Sequence, residues 1–501
     1  MLALLPLDDR PCNARFPIQI AAIGGDEMLA PPLALLGRFN APGQSEKLGE
    51  WLRDLPEISA LIVSVDMLAY GGLVASRKPT ASVGEALARL QILKDFRAAR
   101  PDTKIYGFNI LMRLAVTMDG DAAVANYYNI MRWARLSDEA ERFDSDHLRD
   151  ELNKVRGEIA PAVLDEYLKA RARNHAINLS MLQWLDQGVF DYLLITQEDA
   201  SEFGLHRREQ ESLLQRAREL NVTEKMSLHP GADEAALTLL ARDWNTDVRF
   251  RLHPSSAEDM KRIAPFEDRP YDQALNQHIA ASRGVLLAQG DESTPDFHLF
   301  VHAPVGGSQK DEDDSARALR LARLMPWIRE MIEIAESGGC IALCDVAFPN
   351  GADNALMGEL EKRKALGKIA VFGGWNTAGN TTGTVLAQCA ALKNAKCGVQ
   401  SAECEKTASL SRAFTFERLV DDWYYQAQVR ARIEKSARES GVSPLKMTEE
   451  SVAPIEAQAR RELRGFAQLL ARRQFGTTVH SAEIALPWSR SFEADVRVEL
   501  A

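Results

Sequence analysis

The sequence lacks the features that mark disulfide-rich, membrane-spanning or nucleic-acid-binding proteins. Its six cysteines form no CxxC pair and no zinc-spaced cluster, which predicts reduced, mostly buried thiols. No run approaches the roughly 18 uninterrupted apolar residues of a membrane span, and the first residues lack the basic region of a signal peptide. A net charge of -11 argues against a nucleic acid or an anionic membrane as partner. We therefore expect a cytoplasmic protein.

Short apolar runs alternate with longer amphipathic segments along most of the chain. The runs end near residues 7, 66, 109, 199 and 230 in a first series and near 254, 289, 304, 345 and 375 in a second. This alternation is typical of parallel sheets with helical crossovers. It predicts an α/β fold of two doubly wound, Rossmann- or flavodoxin-like domains that face each other. An elaborated (β/α)8 barrel is the alternative.

Composition and helical periodicity then predict the domain boundaries. We expect a first α/β domain at 1–245 with a helical insertion at about 130–185, a second at 246–400, and a C-terminal helical region at 401–501. The segment at 306–314 is the predicted flexible loop. An amphipathic helix around Trp423 favours completion of the chain's own core, and a homo-oligomer is the alternative.

Polar residues follow the predicted strands in the places where parallel sheets bind ligands, outside the carboxyl ends of the strands. His253 and His302 occupy such places too, and Asp233, at the start of a helix, favours capping over catalysis. The residues expected to bind a small polar substrate are Asp8, Arg10, Asn13, Tyr70, Asn109, Arg113, Glu198, His229, Glu234, Asp345, Asn350, Asp353, Trp375, Asn376, Asn380 and Thr381.

Two loops carry more specific signals. GGWNTAGNTTGT, at 373–384, runs from a strand into a helix, and its N–H groups and hydroxyls suit an anion or a polyol. It matches neither GxGxxG nor the Walker pattern. Trp375 suits stacking on a sugar face, and a packed indole is the equal alternative. The second loop, CDVAFPNGADN at 344–354, offers oxygen ligands for a divalent cation, without EF-hand spacing.

Four motifs together resemble the bacterial Domain of Unknown Function 4127 family. They are PLDDRPCN at 6–13, HPGADE at 229–234, CDVAFPNGADN and GGWNTAGNTTGT. The resemblance extends over nearly the whole chain. It implies that the four motifs mark one shared site, and it carries no reaction with it.

Several carboxylates occur at the predicted strand ends without a nucleophile elbow or a cofactor fingerprint. This combination predicts a hydrolase of the glycoside hydrolase kind, which acts on a small polar, carbohydrate-like substrate without a cofactor. Asp66 and Asp199 are the predicted acid/base pair, with Asp9 as the alternate. A metal-dependent hydrolase or lyase with one divalent cation is the runner-up. A non-catalytic protein that binds a polar ligand is the third reading.

Overall fold

The computed structural model of the chain describes residues 1–307, 309, 312–395 and 402–501, with the backbone alone at residue 402. Cys397, part of the predicted 306–314 loop and the predicted boundary at 400 lie outside the described residues. Two separate parallel sheets and a C-terminal helical region confirm the α/β prediction of two doubly wound units. The barrel alternative is wrong, because the strands form two open sheets instead of closing one ring.

The first sheet contains six parallel strands. They are β1 Leu2–Leu5, β2 Met28–Leu29, β3 Ala60–Ser64, β4 Lys104–Leu111, β5 Tyr192–Gln197 and β6 Met226–Pro230. Their spatial order is β2-β1-β3-β4-β5-β6. Because β1 pairs with both β2 and β3, the direction of winding reverses between β1 and β3. In doubly wound sheets, ligands bind in the crevice at such a switch point.

The second sheet contains five parallel strands. They are β7 Arg249–Pro254, β8 Val285–Leu286, β9 Phe297–His302, β10 Ile341–Asp345 and β11 Ile369–Gly373. The spatial order, β8-β7-β9-β10-β11, repeats the order of the first five strands of the first sheet. Here the switch point lies between β7 and β9.

Helices are numbered along the chain. The α-helices are α1 Pro11–Ala14, α2 Phe16–Ile23, α3 Ser45–Arg53, α4 Val65–Tyr70, α5 Val83–Ala99, α6 Val124–Arg142, α7 Asp146–Glu158, α8 Pro161–Asp186, α9 Leu205–Glu219, α10 Ala235–Trp244, α11 Tyr271–Ala281, α12 Asp314–Glu336, α13 Asn354–Lys362, α14 Ala378–Asn394, α15 Ala402–Arg418, α16 Arg430–Glu439 and α17 Glu449–Leu470. Leu419–Val429 joins α15 to α16 as a π-helix, and Ala471–Phe475 extends α17 in the same form.

The stretch predicted to be a helical insertion is filled by α6, α7 and α8. Ser145 caps α7 by accepting a hydrogen bond from the Leu148 N–H, and a proline opens α8, where its missing N–H costs nothing. Apolar side chains of these helices, among them Ile130, Val155 and Leu164, form a small core of their own.

The chain divides into two compact units. The first comprises residues 1–18, 26–243 and 266–268, and the second 19–25, 244–265 and 269–501. In the first unit, the apolar sheet faces pack against α3, α5 and α8. In the second, α12, α13 and the C-terminal helices share one core with β9, β10 and β11. Each buried Leu, Ile or Phe in such a core contributes about 1.5–3 kcal/mol.

An antiparallel hairpin closes the chain in a region whose sequence reads as almost wholly helical. Its strands are β12 Val479–Ala485 and β13 Asp495–Leu500. Alternate residues are buried, as Ala482 and Ile484 are, and pack against the core of the second unit. Among the described helices, none has both the length and the apolar character needed to cross a bilayer.

Candidate functional site

The carboxyl ends of β1 and β3–β6 form what we call the first edge. Arg10 donates to both carboxylate oxygens of Asp8, and its Nη2 and Nη1 lie 2.6 and 3.2 Å from Oδ1 and Oδ2 of Asp233. Asn13 donates to both aspartates, at 2.9 and 3.2 Å. All four side chains are buried. Asp233 therefore binds an arginine in addition to any capping role. The buried hydrogen bonds of Arg10 and Asn13 hold the loops after β1 and β6 together at the first edge.

Two further carboxylates follow β5 and are held by arginines. Arg77 pairs with Glu198, and Arg113 pairs with Asp199 and lies 3.8 Å from the Glu198 carboxylate. The Asp199 side chain is 24% exposed and that of Glu198 is 10% exposed. Asp199 has a φ of 32°, outside the regions that aspartate ordinarily adopts. Such backbone strain persists where the surroundings enforce it, often at functional sites.

The sequence pattern predicts Asp66 at the end of a strand. In the structure it lies instead in the first turn of α4. Ser64 caps this helix by accepting from the Met67 N–H, which ends β3 early. Oδ2 of Asp66 accepts from the Ile110 N–H at 2.8 Å. Burial raises the pKa of Asp66 to about 7, the bond from Ile110 opposes the shift, and the charge of Glu198 adds to it. Asp66 therefore retains a proton close to neutral pH.

Helix α8 of the insertion supplies two polar residues to the first edge. The guanidinium of Arg173 lies 4.1 Å from the ring centroid of Tyr70, whose pKa is raised by burial and by Asp66. Asn178 accepts from Asn109 at 3.0 Å. Asn109 lies within β4 and not after it, contrary to the prediction. Arg77, Arg173 and Asn178 escaped the sequence analysis because none of them follows an apolar run.

His229 and Glu234, on the first edge, are two buried residues of the kinds that bind a cation. Their ligand atoms lie within 4.8 Å of one another, and both side chains are buried. Oε2 of Glu234 accepts from the Ala232 N–H at 2.9 Å, and burial raises the pKa of Glu234 to about 8. Gly231 has a φ of 129°, and a Cβ there would lie 1.9 Å from Oε1 of Glu234. Glycine is therefore required beside this carboxyl.

Four buried oxygen atoms near the first edge have no hydrogen-bond partner among the described residues. They are Asn109 Oδ1, Thr196 Oγ1, Glu198 Oε2 and Glu234 Oε1. An unsatisfied buried acceptor costs about 1–3 kcal/mol, so such atoms usually bind water or a ligand. Asp9, at the same edge, is half-buried, and its backbone N–H donates to the Gly37 carbonyl at 3.2 Å.

The carboxyl ends of β7, β9, β10 and β11 form the second edge. Nδ1 of His302 lies 3.1 Å from Oδ1 of Asp345 and 3.8 Å from Oδ2 of Asp353. Oδ2 of Asp345 accepts from the Asp353 N–H at 2.7 Å, and Asp353 pairs with Arg320 and caps α13. These carboxylates raise the pKa of His302 in spite of its burial. The carboxylate oxygens of Asp345 and Asp353, which the sequence offers to a divalent cation, thus bind protein groups here.

The glycine-bearing loop at 373–384 is folded largely on itself. Thr381 Oγ1 donates to the Trp375 carbonyl at 2.8 Å, and Thr377 caps α14 by accepting from the Asn380 N–H. The hydroxyl of Thr381 and the start of α14 thus hold the loop in place.

Trp375 is half-buried, and its ring centroid lies 6.1 Å from that of Phe492. Its indole N–H has no partner among the described residues. Asn376 is also half-buried, and its carbonyl accepts from the Asn350 N–H at 2.9 Å, which joins the two loops of the second edge. Both asparagines have positive φ, 68° and 62°, a conformation that asparagine tolerates.

Asp422, in the π-helix Leu419–Val429, holds both loops of the second edge and was missed in the sequence. Its carboxylate accepts from the Gly374 N–H at 3.0 Å, and its carbonyl accepts from the Ala352 N–H at 2.9 Å. Burial raises the pKa of Asp422 to about 7, against the effect of Arg418 at 2.9 Å. No motif could have indicated this residue, because its role depends on the helix packing against both loops.

Of the four sequence motifs, two lie on the first edge and two on the second. PLDDRPCN and HPGADE are joined on the first edge by Arg10 and Asp233, and the two loops of the second edge are joined by Asn350 and Asn376. A family model described as a protein of unknown function, DUF4127, matches residues 2–497. No curated protein and no solved structure matches the chain.

Proposed function

Because the chain belongs to the DUF4127 family, whose description leaves the activity open, we propose a function from the geometry of the chain itself. The proposed function is hydrolysis of a small polar substrate by two carboxyl groups of the first edge, and a glycosidic bond is the first candidate for cleavage. The observation that carries the proposal is the position of the buried carboxyl group Asp66 after β3, at the switch point of the first sheet, where burial raises its pKa to about 7.

Asp66 is the proposed proton donor. A general acid works best when its pKa lies near the working pH, and the pKa of Asp66 is about 7. Burial is the largest cause of the shift, as in other enzymes that keep one carboxyl group protonated beside an ionised one. Its place after β3 is also at the switch point of the first sheet, where ligands bind in this class of fold.

Asp199 is the proposed base or nucleophile. It is the more exposed of the two carboxylates that follow β5, and Arg113 fixes its side chain. Glu198 is held by Arg77 and lies near Arg113, so it orders both arginines, and its charge raises the pKa of Asp66. We therefore assign Glu198 a positioning role. The strained backbone at Asp199 supports a site whose geometry is enforced by its surroundings.

The unpartnered oxygens of the first edge support a substrate rich in hydroxyl groups. Asn109 presents a buried oxygen that lacks a donor among the described residues, and the Thr196 hydroxyl and Oε1 of Glu234, whose pKa is about 8, are unpartnered groups that can donate as well as accept. A sugar hydroxyl both donates and accepts, so a sugar can satisfy all three groups, whereas an ionised carboxylate cannot donate to Asn109. Carbohydrate is therefore the proposed substrate class.

The test is hydrolysis of a panel of chromogenic glycosides by the wild-type chain and by Asp66→Asn and Asp199→Asn, each with and without EDTA. We expect turnover that survives EDTA and falls by roughly a hundredfold or more in both variants, the order expected for loss of an acid or base group. Asp165→Asn is the matched control, because this carboxylate is 60% exposed on α8 and pairs only with Lys169 among the described ion pairs.

The outcomes separate the proposal from its competitors. Full activity in Asp66→Asn or Asp199→Asn contradicts the proposed roles. Turnover that EDTA abolishes favours the metal-dependent alternative. Binding of a sugar without turnover, with affinity retained in Asp199→Asn, favours a non-catalytic binding protein.

Metal-dependent hydrolysis is the second candidate, and the proximity of His229 and Glu234 favours it. Imidazole and carboxylate are common ligands of Zn²⁺. Because the pKa of Glu234 is about 8, a cation that binds there displaces a proton. Calorimetric titration with Zn²⁺ in two buffers of different ionisation enthalpy measures that proton. Release of about one proton per ion, lost in Glu234→Gln, supports this candidate, and absence of binding removes it.

A further inference from the structure

His302 lies at the switch point of the second sheet. It is the last residue of β9, and β9 pairs with β7 on one side and β10 on the other. The second sheet repeats the strand order of the first, so its switch point is the second place in the chain where a doubly wound sheet is expected to bind a ligand.

The ring of His302 is oriented through one nitrogen. Nδ1 lies 3.1 Å from Asp345 Oδ1, and Asp345 is itself fixed by backbone N–H groups of Ala347 and Asp353 at 3.3 and 2.7 Å. Among the residues that the structure describes, none hydrogen-bonds Nε2 of His302. A carboxylate that binds Nδ1–H places the basic lone pair on Nε2 and stabilises the imidazolium that forms there.

The charges around His302 come from three neighbouring elements. Asp345 ends β10, Asp353 precedes α13, and Arg320 on α12 pairs with Asp353 and with Glu312. The two aspartates outweigh Arg320 and the burial of the ring, so the pKa of His302 is raised. The group is negative overall once the ring is neutral, which disfavours an anionic ligand and suits a neutral one.

We infer that the second unit contains its own ligand-binding centre, in which Nε2 of His302, oriented by Asp345, accepts a hydrogen bond from a hydroxyl group of a neutral polyol ligand at the second edge. The O–H bond of the ligand stays intact, and Asp345 holds the neutral ring in the tautomer whose Nε2 carries the lone pair. Half-buried Asn350 and Trp375, on loops of the same edge, supply the amide and aromatic surface that such a ligand requires. The inference does not depend on the function proposed for the first edge.

A purely structural role is the competing explanation, because a buried ion-pair network also ties strands to helices. The two roles differ at Nε2, which a structural histidine keeps sealed and a functional one presents to a ligand. Diethyl pyrocarbonate acylates neutral, accessible imidazole nitrogens, so it reports this difference without knowledge of the substrate. Exposed His147 serves as the reactive control and fully buried His206, in the first unit, as the sealed one.

The experiment treats the full chain with diethyl pyrocarbonate from pH 5 to pH 8 and measures acylation of each histidine by peptide mass spectrometry. We expect His302 to react, His206 to remain unmodified, and the rate at His302 to rise with pH through a midpoint above the ordinary 6.5 of histidine. In Asp345→Asn the midpoint should fall by about one pH unit, because a carboxylate partner is lost. Asp353→Asn leaves the bond from Asp345 to Nδ1 in place and should lower the midpoint of His302 acylation by a smaller amount. It replaces Asp345→Asn in the test if that variant does not fold.

The same reaction tests the ligand class. Glycerol, inositol and methyl glucosides form the polyol panel, and inorganic phosphate is the anionic comparison. We expect at least one polyol to slow acylation of His302 several-fold while phosphate does not. Failure of His302 to react in the folded wild-type chain, or an unchanged midpoint in both variants, overturns the ligand-binding centre. Protection by phosphate alone, or by no probe, overturns the polyol assignment.

Discussion

Arg10 and Asp233 form a bidentate ion pair that joins loops following β1 and β6, two strands separated in the first sheet by three others. The two residues are 223 positions apart in the chain, and both are almost fully buried. The pair therefore connects both ends of the first edge. Removal of one partner leaves the other charge buried and uncompensated.

We expect Arg10→Gln to lower the free energy of unfolding by about 3–5 kcal/mol, the range for a broken buried ion pair. Urea denaturation followed by tryptophan fluorescence measures the change. Arg149→Gln is the control, because Arg149 pairs on the surface with Asp146, which is 97% exposed, and exposed ion pairs contribute little to stability. If Arg10→Gln and Arg149→Gln lower the free energy of unfolding equally, Arg10 does not stabilise the first edge as proposed. The double variant Arg10→Met, Asp233→Leu should recover part of the stability.

The raised pKa of Asp66 predicts a pH dependence of stability. A group whose pKa rises from 3.8 in the unfolded chain to about 7 in the folded chain contributes stability that is fully present below 3.8 and is lost as pH rises through 7. From this group alone, the free energy of unfolding should fall by up to about 1.4 kcal/mol per pH unit within that window. Asp66→Asn cannot ionise and keeps an acceptor for Ile110. The stability of Asp66→Asn relative to that of the wild type should increase from pH 5 to pH 7 and then level off. Parallel curves of stability against pH for the two proteins would contradict the raised pKa of Asp66.

The proposed hydrolysis should share this pH dependence. If Asp66 must be protonated, the rate falls as pH rises past about 7. Because the charge of Glu198 raises the pKa of Asp66, Glu198→Gln should shift the upper limb of the pH profile to lower pH while leaving measurable turnover. If the upper limb of the pH profile is unchanged and only the maximal rate falls, Glu198 acts through Arg77 and Arg113 alone. The profile of kcat/KM from pH 5 to pH 9 distinguishes these cases.

Gly72 tests how closely the loops pack at the switch point of the first sheet. Its φ is 119°, and a Cβ there would lie 3.0 Å from the Leu7 carbonyl oxygen. We expect Gly72→Ala to destabilise the chain by about 1–3 kcal/mol more than Gly188→Ala. Gly188 has a φ of 76° with no atom within 4 Å of the added methyl group, so its alanine variant shows the cost of a positive φ without a steric contact. Thermal midpoints of the two variants give the comparison, and equal midpoints contradict close packing at Gly72.

The sequence predicted the sheets better than the places of single residues. The apolar runs predicted two parallel sheets correctly, because parallel strands that are buried on both faces are continuous apolar segments in the sequence. Asp66 was placed at a strand end, whereas the cap from Ser64 puts it in a helix. Asn109 was placed after a strand and lies within one, since β4 extends to Leu111. Periodicity does not resolve such shifts of two or three residues, because Met67 after Asp66, and Ile110 and Leu111 after Asn109, continue the apolar pattern.

The partners of the candidate residues were harder to predict than the residues. Arg77 lies in a short 3-10 turn, Arg173 on an inserted helix and Asp422 in a π-helix. None of these elements has a sequence signal that points toward the edge of a sheet. Their effects, an ion pair with Glu198, a cation–π contact with Tyr70 and a bond to the Gly374 N–H, arise from tertiary packing.

The helical insertion between β4 and β5 has a consequence for local opening of the chain. It places about 80 residues between two neighbouring strands, yet closing a loop of that length costs only about 1 kcal/mol more than closing one of 25. Because α6, α7 and the first half of α8 have a core of their own, whereas Ile177 and Leu185 of α8 belong to the core of the first sheet, the former can open as a unit while the sheet stays paired. Amides of α6 and α7 should therefore exchange with solvent before those of β4, β5 and the second half of α8.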